Sequence, residues 1–137
     1  MIESEKMELS IVIPVYYSAA IFPTLYERLI ATLEDFSDSF EIIAVVDGCK
    51  DNSADVIAEV NRNDPRVKLI EFSRNFGNQM AITAGLQHAR GDTVIVIDDD
   101  LEDPPEVIPD LVRKSQEGFD VVYAVRKKRQ ISWLQHK

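Results

Sequence analysis

Apolar residues gather in five short runs along the chain, each rich in isoleucine and valine. Most of these runs are continuous rather than alternating. A continuous apolar run of this length is typical of a β-strand that is buried on both faces of a sheet. The pattern therefore predicts five strands, at Leu9–Val15, Phe40–Val46, Val67–Phe72, Thr93–Ile97 and Phe119–Val125.

Helical periodicity fills the intervals between the runs. From Phe22 to Phe36, apolar residues recur every three or four positions, which places them on one face of a helix. A shorter helix is predicted around Val56–Val60, and another from about Asn78 to Ala89. Strands that alternate with helices indicate parallel crossover connections. We therefore expect an α/β fold with a largely parallel central sheet.

A last helix is predicted just after the fourth strand, where the chain reads Asp103-Pro104-Pro105-Glu106. Asp103 can cap the helix, Pro104 suits its first turn, and Glu106 stands three residues after the cap.

Length and composition are those of one globular domain, with 137 residues, 45% of them hydrophobic and 28% charged. We expect a domain over residues 9–126, after an N-terminal tail at 1–8. A basic tail at 127–137 would lead into a missing acceptor or membrane region. The net charge of -9 argues against nucleic-acid binding, since phosphate contacts supply most of that affinity. The cluster Arg126-Lys127-Lys128-Arg129 is either a solvated charge run or a contact for phosphate or a membrane surface.

The single cysteine, Cys49, fits a reducing compartment, and the polar start of the chain is unlike a signal peptide. We therefore expect a cytoplasmic location. Cys49 lacks a histidine partner and is interpreted as a loop residue rather than a nucleophile. His88 is interpreted as a helix-surface residue. The chain has no glycine-rich phosphate loop of the G-x-x-x-x-G-K-[ST] type.

Five carboxylates stand within six residues after the fourth predicted strand, from Asp98 to Asp103. Ligands of open α/β sheets bind beyond the carboxyl ends of the strands. Carboxylates this close repel one another unless a cation neutralises them, and Mg²⁺ or Mn²⁺ suits such oxygen ligands. Asp98 and Asp100 are two apart and can share one side, which predicts a metal site. The alternative is an acidic loop that caps the next helix.

Asp47 follows the second predicted strand and has two interpretations. Asp-Gly is common turn chemistry, so Asp47 could simply form a turn with Gly48. Its position at the end of a central strand equally allows a ligand-binding role.

Three motifs together resemble glycosyltransferase family 2, which has the GT-A fold: Ser10-Ile11-Val12-Ile13-Pro14-Val15-Tyr16, Val45-Val46-Asp47-Gly48 and Asp98-Asp99-Asp100. Further motifs are similar to the polyprenyl-phosphate branch of that family, which includes dolichol-phosphate mannose synthases and bacterial undecaprenyl-phosphate sugar transferases. These are Ser73-Arg74-Asn75-Phe76-Gly77-Asn78-Gln79, Ala84-Gly85-Leu86, Ala89-Arg90-Gly91-Asp92 and Asp100-Leu101-Glu102-Asp103-Pro104-Pro105-Glu106. The resemblance spans about residues 9 to 130.

The resemblance implies a three-layer α/β/α fold and a site for a UDP- or GDP-linked sugar. Pro14, Tyr16 and Val45 would line the nucleobase pocket. Asp47 would hydrogen-bond the base, which is usually uracil or guanine in the family.

The resemblance also implies a D-x-D region at Asp98, Asp99 and Asp100, with Asp98 and Asp100 reaching the metal or the ribose. Glu102 stands where many relatives carry a glutamine that helps to bind the metal. Arg126 would contact phosphate. The implied cofactor is Mg²⁺ or Mn²⁺.

Two positions depart from the family pattern. Relatives usually carry an acidic residue where Ser18 stands, and many carry aspartate where Val46 stands. These departures support the alternative of an inactive nucleotide-binding fragment. Members of this branch continue into acceptor-binding segments and usually into transmembrane helices. We accordingly expect a truncated catalytic part of a protein that lies at the cytoplasmic face of a membrane.

The expected function is inverting transfer of a sugar from a nucleotide-diphospho-sugar to a polyprenyl phosphate. One alternative is a family 2 transferase that uses a sugar hydroxyl in polysaccharide synthesis and needs a base carboxylate. Another is an inactive nucleotide-binding fragment. A phospho-receiver domain has a similar βα repeat, but it needs an acidic pair where Tyr16 and Tyr17 stand and a lone aspartate where Ser73-Arg74-Asn75 stand.

Overall fold

A computed structural model describes residues 7–102, 104–116, 119–125 and 130–135, the last two ranges by their backbone alone. The strands are β1 Leu9–Val15, β2 Phe40–Val46, β3 Val67–Glu71, β4 Thr93–Val96, β5 Phe119–Val125 and β6 Gln130–Gln135. The helices are α1 Phe22–Phe36, α2 Ser53–Asn63, α3 Asn78–His88 and α4 Ile108–Ser115, with a 3-10 turn at Pro105–Val107 before α4.

The strands form one sheet in the order β3-β2-β1-β4-β5-β6. The first five are parallel to their neighbours, and β6 is antiparallel to β5. The chain winds outward from β1 to β3 and then crosses back to place β4 on the other side of β1. The strand order therefore reverses between β1 and β4, which is where open α/β sheets bind their ligands.

Helices cover both faces of the sheet, as expected for three α/β/α layers. One face carries α1, α2 and α4, whose apolar residues pack in a single core with alternate residues of β1, β2 and β4. The opposite face carries α3, where Ile82 packs on Val12 and Val96, and Ala81 packs on Ile43 and Val45. Because β1 and β2 are covered on both sides, all their residues are buried. This explains their continuous apolar runs.

The observed elements match the predicted ones closely. β3 and β4 each end one residue before the predicted limit, and α3 ends at His88 rather than Ala89. Pro104 has an extended backbone, with ψ at 135°, so the helical turn begins at Pro105. The proposed cap, Asp103, lies outside the described residues. No helix in the described part of the chain is long and apolar enough to cross a membrane.

The sixth strand, β6, was not predicted. It occupies Gln130–Gln135, inside the stretch that the sequence indicated as a basic tail. It pairs with the outer side of β5.

Candidate active site

A cavity of about 620 Å³ opens where the strand order reverses, beyond the carboxyl ends of β1 and β4. This volume lies within the usual range for small-molecule sites. The cavity is lined by the ends of β1, β2 and β4 and by the start of α3. Its residues are Pro14, Val15, Tyr16, Asp47, Asn75, Gly77, Asn78, Asp98 and Asp99. Five of the site residues expected from the sequence thus meet in one place.

Asp47 is almost fully buried, with 4% of its surface exposed. Its carboxylate accepts hydrogen bonds from the backbone N–H groups of Phe76, at 2.8 Å, and Gly77, at 3.0 Å. The side-chain amide of Asn75 donates to the same carboxylate at 3.1 Å. Asp47 therefore fastens the β3–α3 loop to the end of β2, which is a larger structural role than a local turn.

Gly48 allows that loop to lie directly on the end of β2. Its φ of +66° is in the left-handed region that favours glycine. A Cβ atom here would lie 2.0 Å from the carbonyl carbon of Arg74 and 2.3 Å from the amide nitrogen of Asn75. The close backbone approach explains why glycine follows Asp47.

The middle aspartate of the acidic run, Asp99, is bound to the segment after β1. Its Oδ2 accepts the backbone N–H of Tyr16 at 2.9 Å and also the hydroxyl of Ser18. Asp99 therefore joins the acidic loop to the β1 end across the mouth of the cavity. Asp98 and Asp100, the metal candidates expected from the sequence, stand on either side of Asp99.

The donor set suits a divalent ion that is shared with a ligand. Among residues 7–102 and 104–116, no three acidic, histidine or cysteine side chains converge as in an all-protein metal site. Mg²⁺, however, usually takes one or two carboxylates plus substrate phosphates. Asp98 lines the cavity, and Asp100 follows it in the loop, where its Oδ1 accepts the N–H of Glu102 at 3.1 Å. Asp98 and Asp100 thus fit such an ion. Neither Asp100 nor the exposed Glu102 is among the residues that line the cavity.

Val45, expected in the nucleobase pocket, is not among the residues that line the cavity. Val45 is fully buried under α3 and packs with Ile43 and Ala81. Val46 is buried in the core on the opposite face of the sheet, so the position where many relatives carry aspartate is apolar packing here. Arg126 lies outside the described residues.

A second cavity, of about 540 Å³, adjoins the first and shares Tyr16 and Asn75 with it. It is lined by two cationic residues, Lys50 and Arg74, and one carboxylate, Glu71, whereas the charged residues that line the first cavity are all aspartates. The guanidinium of Arg74 lies 4.5 Å from the ring centroid of Phe76. The two cavities together can therefore offer both cationic and acidic groups to one extended ligand.

Sequence reasoning assigned no role to Asn75, Gly77 and Asn78, which line the cavity. Their position in the sequence could have indicated a role in the site, since they follow the carboxyl end of β3 within one of the motifs of the resemblance. Two other predictions are confirmed. His88 lies on the helix surface, and the free Cys49 is a loop residue that contacts Asp51.

The family model of Glycosyl transferase family 2 matches residues 10–136, which is most of the chain. The chain therefore belongs to glycosyltransferase family 2. It is 47% identical over 126 residues to the "uncharacterized glycosyltransferase YkcC" of Bacillus subtilis (strain 168), covering 92% of this chain and 39% of the relative.

A second relative is the undecaprenyl-phosphate 4-deoxy-4-formamido-L-arabinose transferase of Shewanella sediminis (strain HAW-EB3). It is 45% identical over 126 residues, covering 91% of this chain and 38% of the relative. The chain thus spans about two fifths of the length of these curated relatives.

Solved structures share the GT-A fold. S. aureus TarS 1-349 in complex with UDP superposes with a TM-score of 0.65 at 26% identity, covering 81% of this chain and 32% of that one. The mannosyltransferase PcManGT from Pyrobaculum calidifontis, in complex with GDP-Man and Mn²⁺, gives a TM-score of 0.62 at 20% identity, covering 71% of this chain and 28% of that one. At this identity, the second likeness concerns the fold alone.

Proposed function

We propose that this chain is the donor-binding part of an inverting glycosyltransferase that moves a sugar from a nucleotide-diphospho-sugar to a polyprenyl phosphate. The observation that supports the proposal most is the cavity at the strand-order reversal, where Pro14, Tyr16, Asp47, Asp98 and Asp99 meet. Family membership and the UDP complex of TarS, at 26% identity, support a nucleotide-linked donor.

Each part of the cavity has a proposed role. Pro14 and the half-exposed Tyr16 offer an apolar wall and an aromatic face to the nucleobase. Asp47 holds the loop that closes the base side, and its carboxylate is a hydrogen-bond acceptor for an N–H group of uracil or guanine. Arg74 and Lys50, in the adjoining cavity, attract the anionic ligand.

Asp98 and Asp100 would hold Mg²⁺ or Mn²⁺ at the diphosphate. When bound, the ion neutralises the negative charge that develops on the leaving nucleoside diphosphate. The carboxylates themselves bind and orient the donor complex at the end of β4. An anionic donor would be repelled by this acidic loop without a cation, so binding and cation should be strongly coupled.

The proposed acceptor is a lipid phosphate, in line with the name of the Shewanella sediminis relative. A phosphate is already anionic near neutral pH and attacks the anomeric carbon without a strong general base. A hydroxyl acceptor, by contrast, needs a carboxylate to remove its proton.

Calorimetry tests the donor site. We expect UDP- or GDP-sugars to bind this chain with Mn²⁺ and to lose about tenfold or more in affinity when Asp98 and Asp100 are replaced by alanine. A matched control is the double replacement of Asp35 and Asp38 by alanine, because both are exposed and lie beyond the opposite edge of the sheet. Equal affinity in the two double variants would exclude Asp98 and Asp100 as ligands.

A transfer assay tests the acceptor. The full-length enzyme, given a nucleotide-sugar with a labelled sugar, should place the label on undecaprenyl phosphate and leave undecaprenol unlabelled. Label on a saccharide hydroxyl instead would favour polysaccharide synthesis. Nucleotide binding without any transfer would favour an inactive binding protein.

A further inference from the structure

Ser18 stands where relatives usually carry an acidic residue, and its surroundings differ from those of a solvent-exposed loop serine. Only 5% of its surface is exposed. Its hydroxyl contacts Oδ2 of Asp99, 81 residues later in the chain, and the N–H of Tyr16 donates to the same oxygen at 2.9 Å. Two donors from the segment after β1 therefore converge on one carboxylate oxygen of the D-x-D run.

The hydroxyl of Ser18 has one proton and two acceptors within reach. The carbonyl oxygen of Tyr16 lies 3.3 Å away, and the carboxylate of Asp99 is the second. A hydrogen bond to an ionised carboxylate is about twice as strong as one to a neutral acceptor. The proton is therefore directed to Asp99.

Ser18 is itself held from behind by the start of α2. Its N–H donates to the hydroxyl of Ser53 at 3.0 Å, and that hydroxyl donates to Oδ2 of Asp51 at 2.9 Å. Ser53 is fully buried. Burial acts to raise the pKa of Asp51, but the hydrogen bonds from Ser53 and Cys49 outweigh it and hold that pKa below its usual value. Asp51 therefore stays ionised as the fixed end of this chain of contacts.

The backbone next to Ser18 is shaped for the contact. Tyr17 has a φ of +57°, an uncommon conformation for a residue with a bulky side chain. Such a conformation persists only where the surrounding contacts maintain it. Here the contacts on either side are the Tyr16 N–H and the Ser18 hydroxyl, both bound to Asp99.

The contact also lies where the sheet no longer joins the two strands. The ladder between β1 and β4 ends at the pair Val12 and Val96, with one further bond from the N–H of Ile97 to the carbonyl of Val12 at 3.1 Å. Beyond that bond, Asp99 provides a further connection between the segments that follow β1 and β4. Asp98 and Asp100 stand directly on either side of Asp99, so this connection helps to place them.

We infer that Ser18 is a positioning residue, which holds the D-x-D loop in its metal- and diphosphate-binding arrangement through Asp99. The inference rests on the proposed function. It also gives a physical meaning to the departure from the family pattern, because a hydroxyl donates to Asp99 where an ionised acidic side chain would repel it.

The test compares Ser18→Ala and Ser18→Thr with Ser115→Ala by calorimetry. Ser115 is also buried and donates from its hydroxyl, but to the carbonyl of Val112 in α4, away from the cavity. The ligands are the nucleoside diphosphate with Mn²⁺, UDP or GDP, whichever the unchanged chain binds more tightly, and the matching nucleoside alone.

Ser18→Ala should weaken nucleoside diphosphate binding with Mn²⁺ about tenfold or more, and nucleoside binding less than twofold. Ser18→Thr should restore the affinity, and Ser115→Ala should change neither ligand. If Ser18→Ala does not fold, Ser18→Cys replaces it, since a thiol is a weaker donor of similar size.

Two outcomes overturn the inference while the proposed function survives. One is undiminished diphosphate binding in Ser18→Ala or Ser18→Cys, and the other is an equal loss for diphosphate and nucleoside, which would mean general damage to the pocket. An unchanged chain that binds no nucleoside diphosphate with Mn²⁺ would instead overturn the proposed function, and the inference with it.

Discussion

Gly48 lies beneath the β3–α3 loop. A Cβ atom at this position would push the loop away from the end of β2. The atoms that a Cβ would meet belong to the backbone of Arg74 and Asn75, so no side-chain rotation can relieve the overlap. Gly77, at the other end of the same loop, also has a positive φ, of +103°, but a Cβ there would meet no atom within 4 Å. Substitution of Gly77 therefore tests the cost of a positive φ without steric overlap, whereas substitution of Gly48 adds the overlap.

Gly48→Ala should lower the free energy of unfolding by more than about 2 kcal/mol, since overlap adds to the cost of a positive φ. Gly77→Ala should cost only the conformational part, about 1–3 kcal/mol, because its ψ of 157° places it in a region that is essentially restricted to glycine. Urea denaturation of both variants measures the difference. A loss at Gly48 no larger than at Gly77 would show that the loop moves away freely and that its close approach to β2 is unimportant.

Single-residue roles were only partly predictable from the sequence. The aspartates at strand ends could be recognised because parallel strands deliver their carboxyl ends to one edge. The loop-fastening role of Asp47 and the contact between Ser18 and Asp99 could not, because each joins segments about 30 or 80 residues apart. Val45 was expected in the pocket. Side chains alternate between the two faces of a strand, however, and the side chain of Val45 lies on the face that α3 covers.

At the level of elements, the buried strands were the most predictable part. Leu9–Val15, Phe40–Val46 and Phe119–Val125 begin and end where their apolar runs do. For the first two, burial on both faces explains why nearly every residue is apolar, with Ser10 and Glu41 as the polar exceptions. β6 was missed because it joins the sheet edge by backbone pairing and has a short, mixed sequence, Gln130–Gln135. Backbone pairing leaves little trace in side-chain pattern.

The turn between α2 and β3 is tied to α1 by one carboxylate. Asp64 accepts hydrogen bonds from the Arg66 guanidinium, at 2.8 and 2.9 Å, and from the Tyr26 hydroxyl at 2.6 Å. The Arg66 hydrogen bond is the main reason that the pKa of Asp64 falls to about 2, from 3.8. Burial first, and then Asp64, raise the pKa of Tyr26 to about 12.

Because the folded-state pKa of Asp64 is depressed, its stabilising effect is present above pH 3.8 and is lost as the pH falls through about 2. Asp64→Asn should therefore lower stability at pH 7 by about 1–2 kcal/mol, allowing for screening of the half-exposed Arg66. The difference from wild type should shrink between pH 4 and pH 2 in urea unfolding. Asp55→Asn, an exposed change on α2, is the control. A difference that stays constant with pH would contradict the ionic origin.

Across the whole molecule, the carboxyl-terminal and amino-terminal ends of the strands have different roles, ligand binding at one and stability at the other. The carboxyl edge holds the cavity and its acidic loop, whereas the opposite edge holds a buried carboxylate, Glu41, whose side chain is 1% exposed. Glu41 accepts the Ser10 hydroxyl at 2.6 Å, the Arg90 N–H at 2.7 Å and the Lys68 ammonium at 2.8 Å. It thereby joins β1, β2, β3 and the turn before β4.

Burial alone would raise the pKa of Glu41, but the hydrogen bonds from Lys68, Ser10 and Arg90 outweigh it and hold the pKa below its usual value. Removing this carboxylate leaves the buried Ser10 hydroxyl and the Arg90 N–H without their acceptor. Glu41→Ala should therefore lower the free energy of unfolding by about 3 kcal/mol. Glu41→Gln, which keeps an acceptor oxygen, should cost less.

The same Glu41 variants should leave nucleotide affinity within twofold of wild type, since they lie at the edge away from the cavity. The double replacement of Asp98 and Asp100 should instead weaken nucleotide binding, because it removes the carboxylates that would hold the ion. Denaturation and calorimetry on the same samples measure both quantities. If Glu41→Gln weakened nucleotide binding as strongly as the Asp98 and Asp100 replacements, the strands would transmit strain from one edge to the other. The two tasks would then be coupled through the sheet rather than separated by it.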